Sequence, residues 1–402
     1  MPAVPVKIAA AQVPVVSEPP ATPVQASNPA PVAPQAPQPK KSLTRAAPST
    51  APAVAPVGCD DGHYGIKVCA GPHVFYTMPS RSSPGRLRAS SFAGGANDDL
   101  VYETAPGEFV TVTAYDMLSP AVDTRTDAYP TGAPNRALVA HALRMAHLSG
   151  EISLVTGLPV NRFYLDGDRN TALIEAKRES LLRPVTAVSG AVLPEVKRHR
   201  VISEAVAAYY DALLDFDGNI RQDFKDISDE APVAVVDAGG KTLDIATIKE
   251  GGAGLYQDLS GTAEVGALFL YDAIDAALRA RFGVTDKIPF ASLQRAIDTG
   301  AYRVFGERHD VSGLVAEQLD AFADRVGFEV KKLLGDASRF GLVLFVGGGA
   351  NLLRERLARV FPGMPERAIT LAPDTDDPAQ NAAFANCRGM YKAALLDARN
   401  AG

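Results

Sequence analysis

The chain has 402 residues, enough for one bilobal unit or two to three domains, and a formal net charge of −6 at pH 7. A mildly acidic chain is not expected to bind nucleic acid directly through its overall surface field. Its 3 cysteines form no metal-ligand pattern, no apolar run approaches the length of a membrane helix, and no convincing signal peptide is present. We therefore expect a cytoplasmic protein that does not bind a membrane.

Residues 1–56 differ in composition from everything that follows them. They contain nearly half of the 30 prolines of the chain and no aromatic residue. Such a segment cannot bury enough apolar surface to offset its ordering entropy, so we predict a disordered tail with polyproline II character. A spacer is the simplest role for this tail, and a contact with a partner or an assembly is the alternative.

The first motif of the folded part, at residues 57–69, is a strand, an Asp-containing glycine turn and a second strand. Pro56 and Gly58 make the first strand a weak candidate for a central sheet position. The segment that follows predicts short strands at residues 74–78 and 109–113, with Ser-, Gly- and Arg-rich loops at residues 79–107 between them.

Helical and strand patterns then alternate up to Leu214. The predicted elements are helices at residues 135–149 and 170–182 and strands at residues 152–159 and 186–193. Ser203 can cap the next helix, whose first turn carries Glu204, where an acidic side chain is favourable with the helix dipole. This terminus effect alone is the alternative explanation for Glu204.

The second motif, at residues 233–248, repeats the first: an apolar run, an Asp-Ala-Gly-Gly turn and a returning apolar run. Gly239 and Gly240 allow a sharp turn because glycine accepts positive φ. Backbone N–H groups at such a tip favour a phosphate, and the adjacent Asp237 can hold Mg²⁺ directly or through water. An ordinary hairpin is the alternative, and the second copy of the motif at residues 57–69 favours the phosphate site.

A third glycine turn, at residues 347–349, follows the buried strand 341–346. Glycines there would let a flat base or ribose lie against the backbone, where a side chain would block it. The other predicted elements of this half are helices at residues 267–282, 352–361 and 377–399 and a mainly helical region at residues 290–334.

Together these motifs resemble the superfamily of nucleotide-binding folds that contains actin, the heat-shock chaperones and the sugar kinases. Within it the chain is most similar to the bacterial plasmid-segregation actins, the ParM/StbA family. The similar segments are residues 59–67 and 236–245 (two phosphate loops), 345–351 (an adenosine motif), and 155–159, 202–208 and 384–391. The resemblance covers about residues 57–395, in order, and leaves the tail outside.

The resemblance implies an α/β, bilobal actin-like ATPase fold. Two ribonuclease-H-like domains would enclose a nucleotide cleft, preceded by the disordered N-terminal tail. The expected boundaries are residues 57–230 for the first domain and 231–374 for the second, with a C-terminal helix within residues 375–402 packing back on the first.

Carried over residue by residue, the resemblance also implies a nucleotide site. Asp60 and Asp237 are expected to hold Mg²⁺ through water, and Glu204 to orient the attacking water, which makes these three the predicted catalytic residues. The predicted nucleotide contacts are Gly62, His63, Tyr64 and Lys67, then Gly239, Gly240, Lys241 and Thr242, and finally Gly347, Gly348, Gly349 and Ala350.

Several of these residues have other interpretations. His63 stands where the family usually has Ser or Thr, and Lys241 stands where Thr is common. These two differences bear on the rate of hydrolysis and on the choice of nucleotide. His63 could be a loop residue without a phosphate contact, Lys67 a charge at a strand edge, and Asp244 a structural residue.

The function that the resemblance implies is hydrolysis of ATP, with GTP as an alternative, in the presence of Mg²⁺ and coupled to assembly into dynamic filaments that segregate plasmid DNA. The expected partners are further copies of the chain and a DNA-binding adaptor at a plasmid centromere. Another bacterial actin-like cytoskeletal protein and a soluble small-molecule kinase of the same superfamily are the alternatives. A kinase would need an Asp poised on a substrate hydroxyl, and the sequence offers no persuasive candidate.

Overall fold

The computed structural model describes residues 54–87, 98–114 and 121–400. The predicted disordered tail therefore lies outside the described residues, except for its last few positions. There the first strand begins at Ala55, inside the segment predicted to be tail. None of the helices in these ranges is long and apolar enough to cross a membrane.

The described residues form eighteen strands and eleven α-helices. The strands are β1 (Ala55–Asp61), β2 (Gly65–Cys69), β3 (Phe75–Pro79), β4 (Ser82–Pro84), β5 (Val101–Ala105), β6 (Glu108–Val112), β7 (Glu151–Leu158), β8 (Tyr164–Leu165), β9 (Asp168–Arg169), β10 (Thr186–Ala187), β11 (Glu195–Ser203), β12 (Val233–Ala238), β13 (Leu243–Ile248), β14 (Gly261–Ala263), β15 (Ala301–Val304), β16 (Glu307–Asp310), β17 (Leu342–Val346) and β18 (Ile369–Leu371). The helices are α1 (Ala133–Met145), α2 (Val160–Phe163), α3 (Thr171–Leu182), α4 (Glu204–Leu213), α5 (Gln222–Glu230), α6 (Ala267–Phe282), α7 (Phe290–Thr299), α8 (Ser312–Leu334), α9 (Gly348–Leu352), α10 (Leu357–Val360) and α11 (Ala385–Asn400).

Two five-stranded sheets share one topology. The first is ordered β3-β2-β1-β7-β11 and the second β14-β13-β12-β17-β18. In each, a hairpin pairs antiparallel, and its first strand pairs in parallel with a strand from later in the chain. This duplication confirms the predicted α/β architecture of two ribonuclease-H-like units, each led by one of the two Asp-Gly hairpins.

Strand β1 is central in its sheet even though Pro56 and Gly58 argued against that position. The reason is the helix that covers it. A Cβ atom at Gly58 would overlap the backbone of Cys387 and Tyr391 in α11, so glycine allows the helix to lie directly on the strand.

A buried charge cluster fastens α11 to α4. Arg388 donates to both carboxylate oxygens of Asp211, at 2.6 to 3.1 Å, and Lys392 donates to the same carboxylate at 2.7 Å. Helix α11 also contacts β1, β2 and β7. The C-terminal helix is therefore built into the first sheet's side of the molecule.

Helix α4 lies between the two sheets and contacts strands of both. Its buried face joins Ala205, Ala208 and Tyr209 to Val233 and Leu344 in one apolar cluster. Its first residue is Glu204, and Ser203 occupies the N-cap position, although the Ser203 side chain makes no capping hydrogen bond. The packing of α4 thus carries Glu204 to the space between the sheets.

Two of the predictions for the first half are wrong in part. The segment 79–107 was expected to form loops, but β4 and β5 within it pair with β6 in a four-stranded sheet ordered β10-β5-β6-β4. These strands are short and half polar, so they lack a strong apolar run. The strand predicted at residues 186–193 contains only Thr186 and Ala187.

The second half also departs from prediction, and its last helix, expected at residues 377–399, begins only at Ala385. The region 290–334 is mainly helical as expected, but an unpredicted hairpin, β15–β16, separates α7 from α8. The helix expected at residues 352–361 is instead two short helices, and the first of them begins at Gly348. A Cβ at Gly349 would lie 2.6 Å from the Cβ of Ala238, so glycine lets α9 begin directly against β12.

Candidate nucleotide site

The carboxyl ends of β1, β12 and β17 surround a cavity of about 560 Å³. Every predicted site residue except Ala350 lines it, and Ala350 is fully buried and does not reach the cavity wall. The structure therefore brings both hairpins, the glycine turn and Glu204 to one place. Parallel strands direct their carboxyl ends to the same edge of a sheet, which is where ligands of α/β folds commonly bind.

The tips of the two hairpins touch each other at Tyr64 and Gly240. A Cβ atom at Gly240 would overlap the Cβ of Tyr64 and approach its backbone nitrogen to 3.1 Å. The carbonyl of Gly240 is also packed against Gly266, ahead of α6. Glycine at position 240 is therefore required by the close approach of the loops, in addition to any contact with a ligand.

The three glycines at residues 347–349 differ in their surroundings. Gly347 has a φ of 88°, and a Cβ there would overlap Asp237. Gly349 packs against Ala238, whereas a Cβ at Gly348 would have nothing within 4 Å. Packing against the end of β12 thus explains why positions 347 and 349 are glycine. At Gly348, by contrast, the missing side chain leaves open space in the cavity.

Asp60 and Lys67 form an ion pair at the cavity wall, with Nζ 2.9 Å from Oδ2. Burial by itself lowers the pKa of Lys67, but the charge and hydrogen bond of Asp60 raise it more, so the pKa of Lys67 lies above its usual value. Lys67 is therefore held as a cation inside the cavity, paired with the first predicted Mg²⁺ ligand, and is not a solvated strand-edge charge.

Asp237 is 3% exposed and accepts a hydrogen bond of 2.7 Å from Nδ2 of Asn386. Burial raises the pKa of Asp237 to about 7; the amide of Asn386 opposes this shift, and Asp244 and Asp60 add to it. A carboxylate that is costly to leave charged in a buried site is one that a cation would stabilise.

The Glu204 side chain lies over the carboxyl end of β7. A Cβ at Gly157 would come within 2.5 Å of Cγ of Glu204 and within 3.3 Å of its Oε1. Burial, reinforced by the negative charges of Asp60, Asp244 and Asp237, raises the pKa of Glu204. Among the described residues, no side chain or backbone group forms a hydrogen bond with its carboxylate, which leaves that group available to a ligand or water.

Beneath these residues lies a buried ion pair between Asp61 and Lys177. The Lys177 ammonium donates to Oδ1 of Asp61 at 2.8 Å and to the carbonyl of Gly157 at 2.5 Å, and Asn135 donates to the other carboxylate oxygen at 2.8 Å. This network ties α1 and α3 to the ends of β1 and β7, the strands that position Asp60 and the glycine under Glu204.

His63 and Lys241, which depart from the family pattern in the two phosphate loops, have side chains that contact other parts of the protein. Nδ1–H of His63 donates to the carbonyl of Thr124 at 2.5 Å, and the Thr124 hydroxyl donates back to the carbonyl of His63 at 2.6 Å. Burial lowers the pKa of His63, so the ring is neutral at pH 7. The Lys241 ammonium lies 3.7 Å from Asp127 and 3.9 Å from Glu264. The side chain of His63 is held by the Thr124 loop, and that of Lys241 lies between two carboxylates.

Asp244 is a buried acceptor for three groups. It receives hydrogen bonds from the hydroxyls of Thr242 and Thr262, at 2.8 and 2.5 Å, and from the backbone N–H of Val160 at 2.8 Å. The Thr242 hydroxyl is thereby committed to Asp244. These contacts fix the second hairpin to β14 and to the start of α2, in agreement with the interpretation of Asp244 as structural.

Several cavity residues were not predicted from the sequence. They include Tyr271, Gln294, Asp298, Asn351, Asp376, Phe384 and Asn386. Asn386 lies within the segment 384–391 whose family resemblance was noted, so that segment was the available signal. The Tyr64 hydroxyl donates to Oε1 of Gln294 at 3.0 Å, a contact between distant parts of the chain that no local motif marks.

Comparison with known proteins supports the same reading of the fold. A family model for the N-terminal domain of actin-like proteins matches residues 58–206, and one for the C-terminal part of archaeal actin homologues of the MreB-like type matches residues 235–359. No match was found among curated protein sequences.

Solved structures of actin homologues superpose on most of the chain. A non-polymerisable mutant of pCBH ParM is 18% identical, with a TM-score of 0.65 over 84% of this chain and 98% of that one. The archaeal actin homologue Ta0583 in complex with ADP is 20% identical, with a TM-score of 0.65 over 85% of this chain and 99% of that one.

A third structure, a 15-stranded ParM filament from Clostridium botulinum, is 18% identical, with a TM-score of 0.64 over 85% of this chain and 99% of its own. The fold is therefore shared with ParM and archaeal actin homologues, and the two family models match the two halves of the chain in the expected order. The chain therefore has an actin-like fold, with an actin-like family model matching a segment of each half.

Proposed function

We propose that the chain binds ATP with Mg²⁺ in the cavity between its two sheets, hydrolyses it, and assembles into filaments whose stability depends on the bound nucleotide. The observation that carries this proposal is the convergence of two Asp-bearing hairpins and a glycine turn on one cavity of about 560 Å³. Glycine turns offer backbone N–H groups to phosphates, and carboxylates are suitable ligands for Mg²⁺.

In this proposal Asp60 and Asp237 hold the hydrated ion, which when bound would neutralise phosphate charge. The part of the chain that the structure describes contains no cluster of three or more His, Cys, Asp or Glu side chains able to hold a metal. The two carboxylates would therefore share the ion with water and with nucleotide phosphates, as is usual for Mg²⁺.

The remaining roles follow from where the side chains lie. Lys67 is a fixed cation in the cavity wall and would contact a phosphate. The backbone of residues 62–64 and 239–242 would donate to the β- and γ-phosphates, and residues 347–350 would lie beside the adenosine. Glu204, whose carboxylate has no hydrogen-bond partner among the described residues, would orient the attacking water.

For the biological use, we propose that the filaments move DNA. Resemblance to ParM favours plasmid DNA segregation in the cytoplasm, with DNA reached through a separate centromere-binding adaptor. A net charge of −6 is consistent with indirect contact with DNA. We also propose domain limits at residues 57–230 with 375–402, and at residues 231–374.

Sedimentation and phosphate release, measured on the same samples, test the proposal. The purified chain should pellet and scatter light with Mg-ATP, release phosphate with a delay relative to assembly, and remain soluble with Mg-ADP. Phosphate release or substrate phosphorylation without assembly under any nucleotide would favour a soluble kinase instead.

A further inference from the structure

A cationic pocket of about 290 Å³ lies between α7 and the β15–β16 hairpin and shares no lining residue with the nucleotide cavity. It is lined by three arginines and by hydroxyl-bearing and small side chains, namely Arg295, Arg303, Arg308, Ser292, Thr299, Tyr302 and Ala301. No carboxylate is part of this lining.

Carboxylates of the described residues do not balance the positive charges of this pocket. Among the described residues, none of the three arginines forms an ion pair with a carboxylate, and Arg303 donates only to the carbonyl of Gly306, at 2.6 Å. Arg303 and Arg308 stand directly opposite each other in the antiparallel register. Like charges at opposed positions destabilise a hairpin, so an external anion would stabilise it.

The tip of the same hairpin presents an apolar side chain. Phe305 is 86% exposed and has a φ of 49°, in the left-handed region that a bulky residue rarely adopts. The surface that fits the hairpin must therefore offer both negative charges and an apolar contact.

Helix α5 carries a surface of that kind. Asp223, Asp226, Ile227 and Glu230 follow the spacing i, i+3, i+4, i+7, which places them on one helix face, and all four are exposed. Ile227 is 39% exposed, and Glu230 forms no ion pair with any described residue. Phe224 and Ser228 occupy the opposite, buried face.

We propose that the β15–β16 hairpin of one copy of the chain docks on the α5 face of a second copy. Arg303 and Arg308 would meet Asp226 and Glu230, and Phe305 would pack near Ile227. The two surfaces are different, so the contact is head-to-tail and its repetition gives an open filament or a ring. This inference rests on the proposed function, because it names the contact through which assembly would occur.

Charge exchange between the two surfaces tests the docking. The double variant Arg303→Glu with Arg308→Glu makes both surfaces acidic, and Asp226→Arg with Glu230→Arg makes both basic. Neither should pellet alone with Mg-ATP. An equimolar mixture should pellet, because each hairpin then meets a face of opposite charge on the other variant.

Three controls keep the result interpretable. Both variants should still bind Mg-ADP, measured by thermal shift. Arg198→Glu with Arg367→Glu, at exposed positions that form no ion pair with any described residue, should pellet like the parent chain. Phe305→Asn, which suits a left-handed residue, should preserve folding and raise the critical concentration by about tenfold or more, since aromatic anchors dominate most interfaces.

The docking contact and filament formation are tested separately. Assembly of the parent chain with no effect of the charge-reversed variants, or a mixture that stays soluble, would overturn the docking while leaving filament formation intact. A parent chain that binds nucleotide but never assembles would overturn both.

Discussion

Glu204 is a charged side chain whose surroundings disfavour its charge. It sits at the first position of α4 with no described hydrogen-bond partner, and burial raises its pKa. A helix-dipole role alone would be fulfilled equally well by an exposed acid in the first turn. Its position beside Asp60 and Asp237 in the cavity lining is more specific to a role in positioning water.

Substitution of Glu204 by Gln should slow phosphate release by about 100-fold or more, because a positioned base contributes about 10²- to 10⁴-fold to such reactions. Affinity for Mg-ADP should change little, since the carboxylate is not proposed to contact the nucleotide. Exposed Glu317→Gln serves as the matched control. Unchanged turnover in Glu204→Gln would show that the residue has only a structural role.

His199 gives a pH dependence that does not involve the nucleotide site. Its Nδ1–H donates to the carbonyl of Arg178 at 3.3 Å, and its Nε2 accepts from the Thr156 hydroxyl at 2.9 Å. Burial lowers the pKa of His199 to about 4. The unfolded state therefore binds more protons than the folded state between that value and the unfolded pKa of about 6.5.

The consequence is a loss of stability as pH falls from about 6.5 to about 4, contributing about 3 kcal/mol by linkage. Urea unfolding of the parent chain and of His199→Gln across this range isolates the effect. The variant should show a shallower decline in the free energy of unfolding. Equal slopes would mean that His199 titrates normally in the folded state.

At this scale the sequence predicts residues whose role depends on a local pattern. Asp60 and Asp237 were found because each lies near the end of a predicted strand, just before a glycine turn. Asn386 and Gln294 were not singled out, because their partners Asp237 and Tyr64 lie far away in the chain. The contacts of the His63 and Lys241 side chains could not be predicted either, since Thr124 and Glu264 approach them only in the folded molecule.

The junction of α11, α4 and β1 depends on glycines that remove Cβ atoms between elements. A Cβ at Gly389 in α11 would overlap the carbonyl of Ala207 in α4. Together with Gly58 this allows α11 to approach both its neighbours closely. The Asp211–Arg388–Lys392 cluster is buried in the same junction, so both close packing and ion pairs hold α11 against α4.

Gly389→Ala should lower the free energy of unfolding by about 2 to 3 kcal/mol through overpacking. Gly313→Ala is the matched helix control, because a Cβ there has nothing within 4 Å. It should leave stability unchanged or raise it by up to about 1 kcal/mol through helix propensity. Similar values for the two variants in chemical denaturation would contradict the close packing of α11.

Helices and strands with strong apolar periodicity were predicted well, whereas short strands that depend on pairing with a neighbouring strand were not. Helix α6 and the β12–β13 hairpin match their predicted limits closely. Strand β11 was missed because its pattern is interrupted by a register shift between Val196 and Arg198. The β15–β16 hairpin was missed because its strands are short and its outer face carries arginines.

The described part of the molecule contains two sheets of the same topology, and each directs the carboxyl end of its central strand toward the nucleotide cavity. This arrangement explains why the two hairpins, separated widely in sequence, touch at Tyr64 and Gly240. A ligand between them would contact both sheets and could bias their relative position, as nucleotide state does in switching proteins. The proposed function requires that ligand to be a nucleotide bound in this cavity.

Gly348 allows this dependence to be tested without disturbing the fold. A Cβ at this position meets nothing within 4 Å, and the residue lines the cavity, so the side chain of Gly348→Leu would occupy the cavity. Isothermal titration of Mg-ADP into the parent chain and this variant is the decisive measurement. We predict binding by the parent, a loss of affinity of about 100-fold or more in the variant, worth about 2.7 kcal/mol, and an undiminished melting temperature without nucleotide. Equal affinity in the two proteins would place the nucleotide elsewhere and contradict the account.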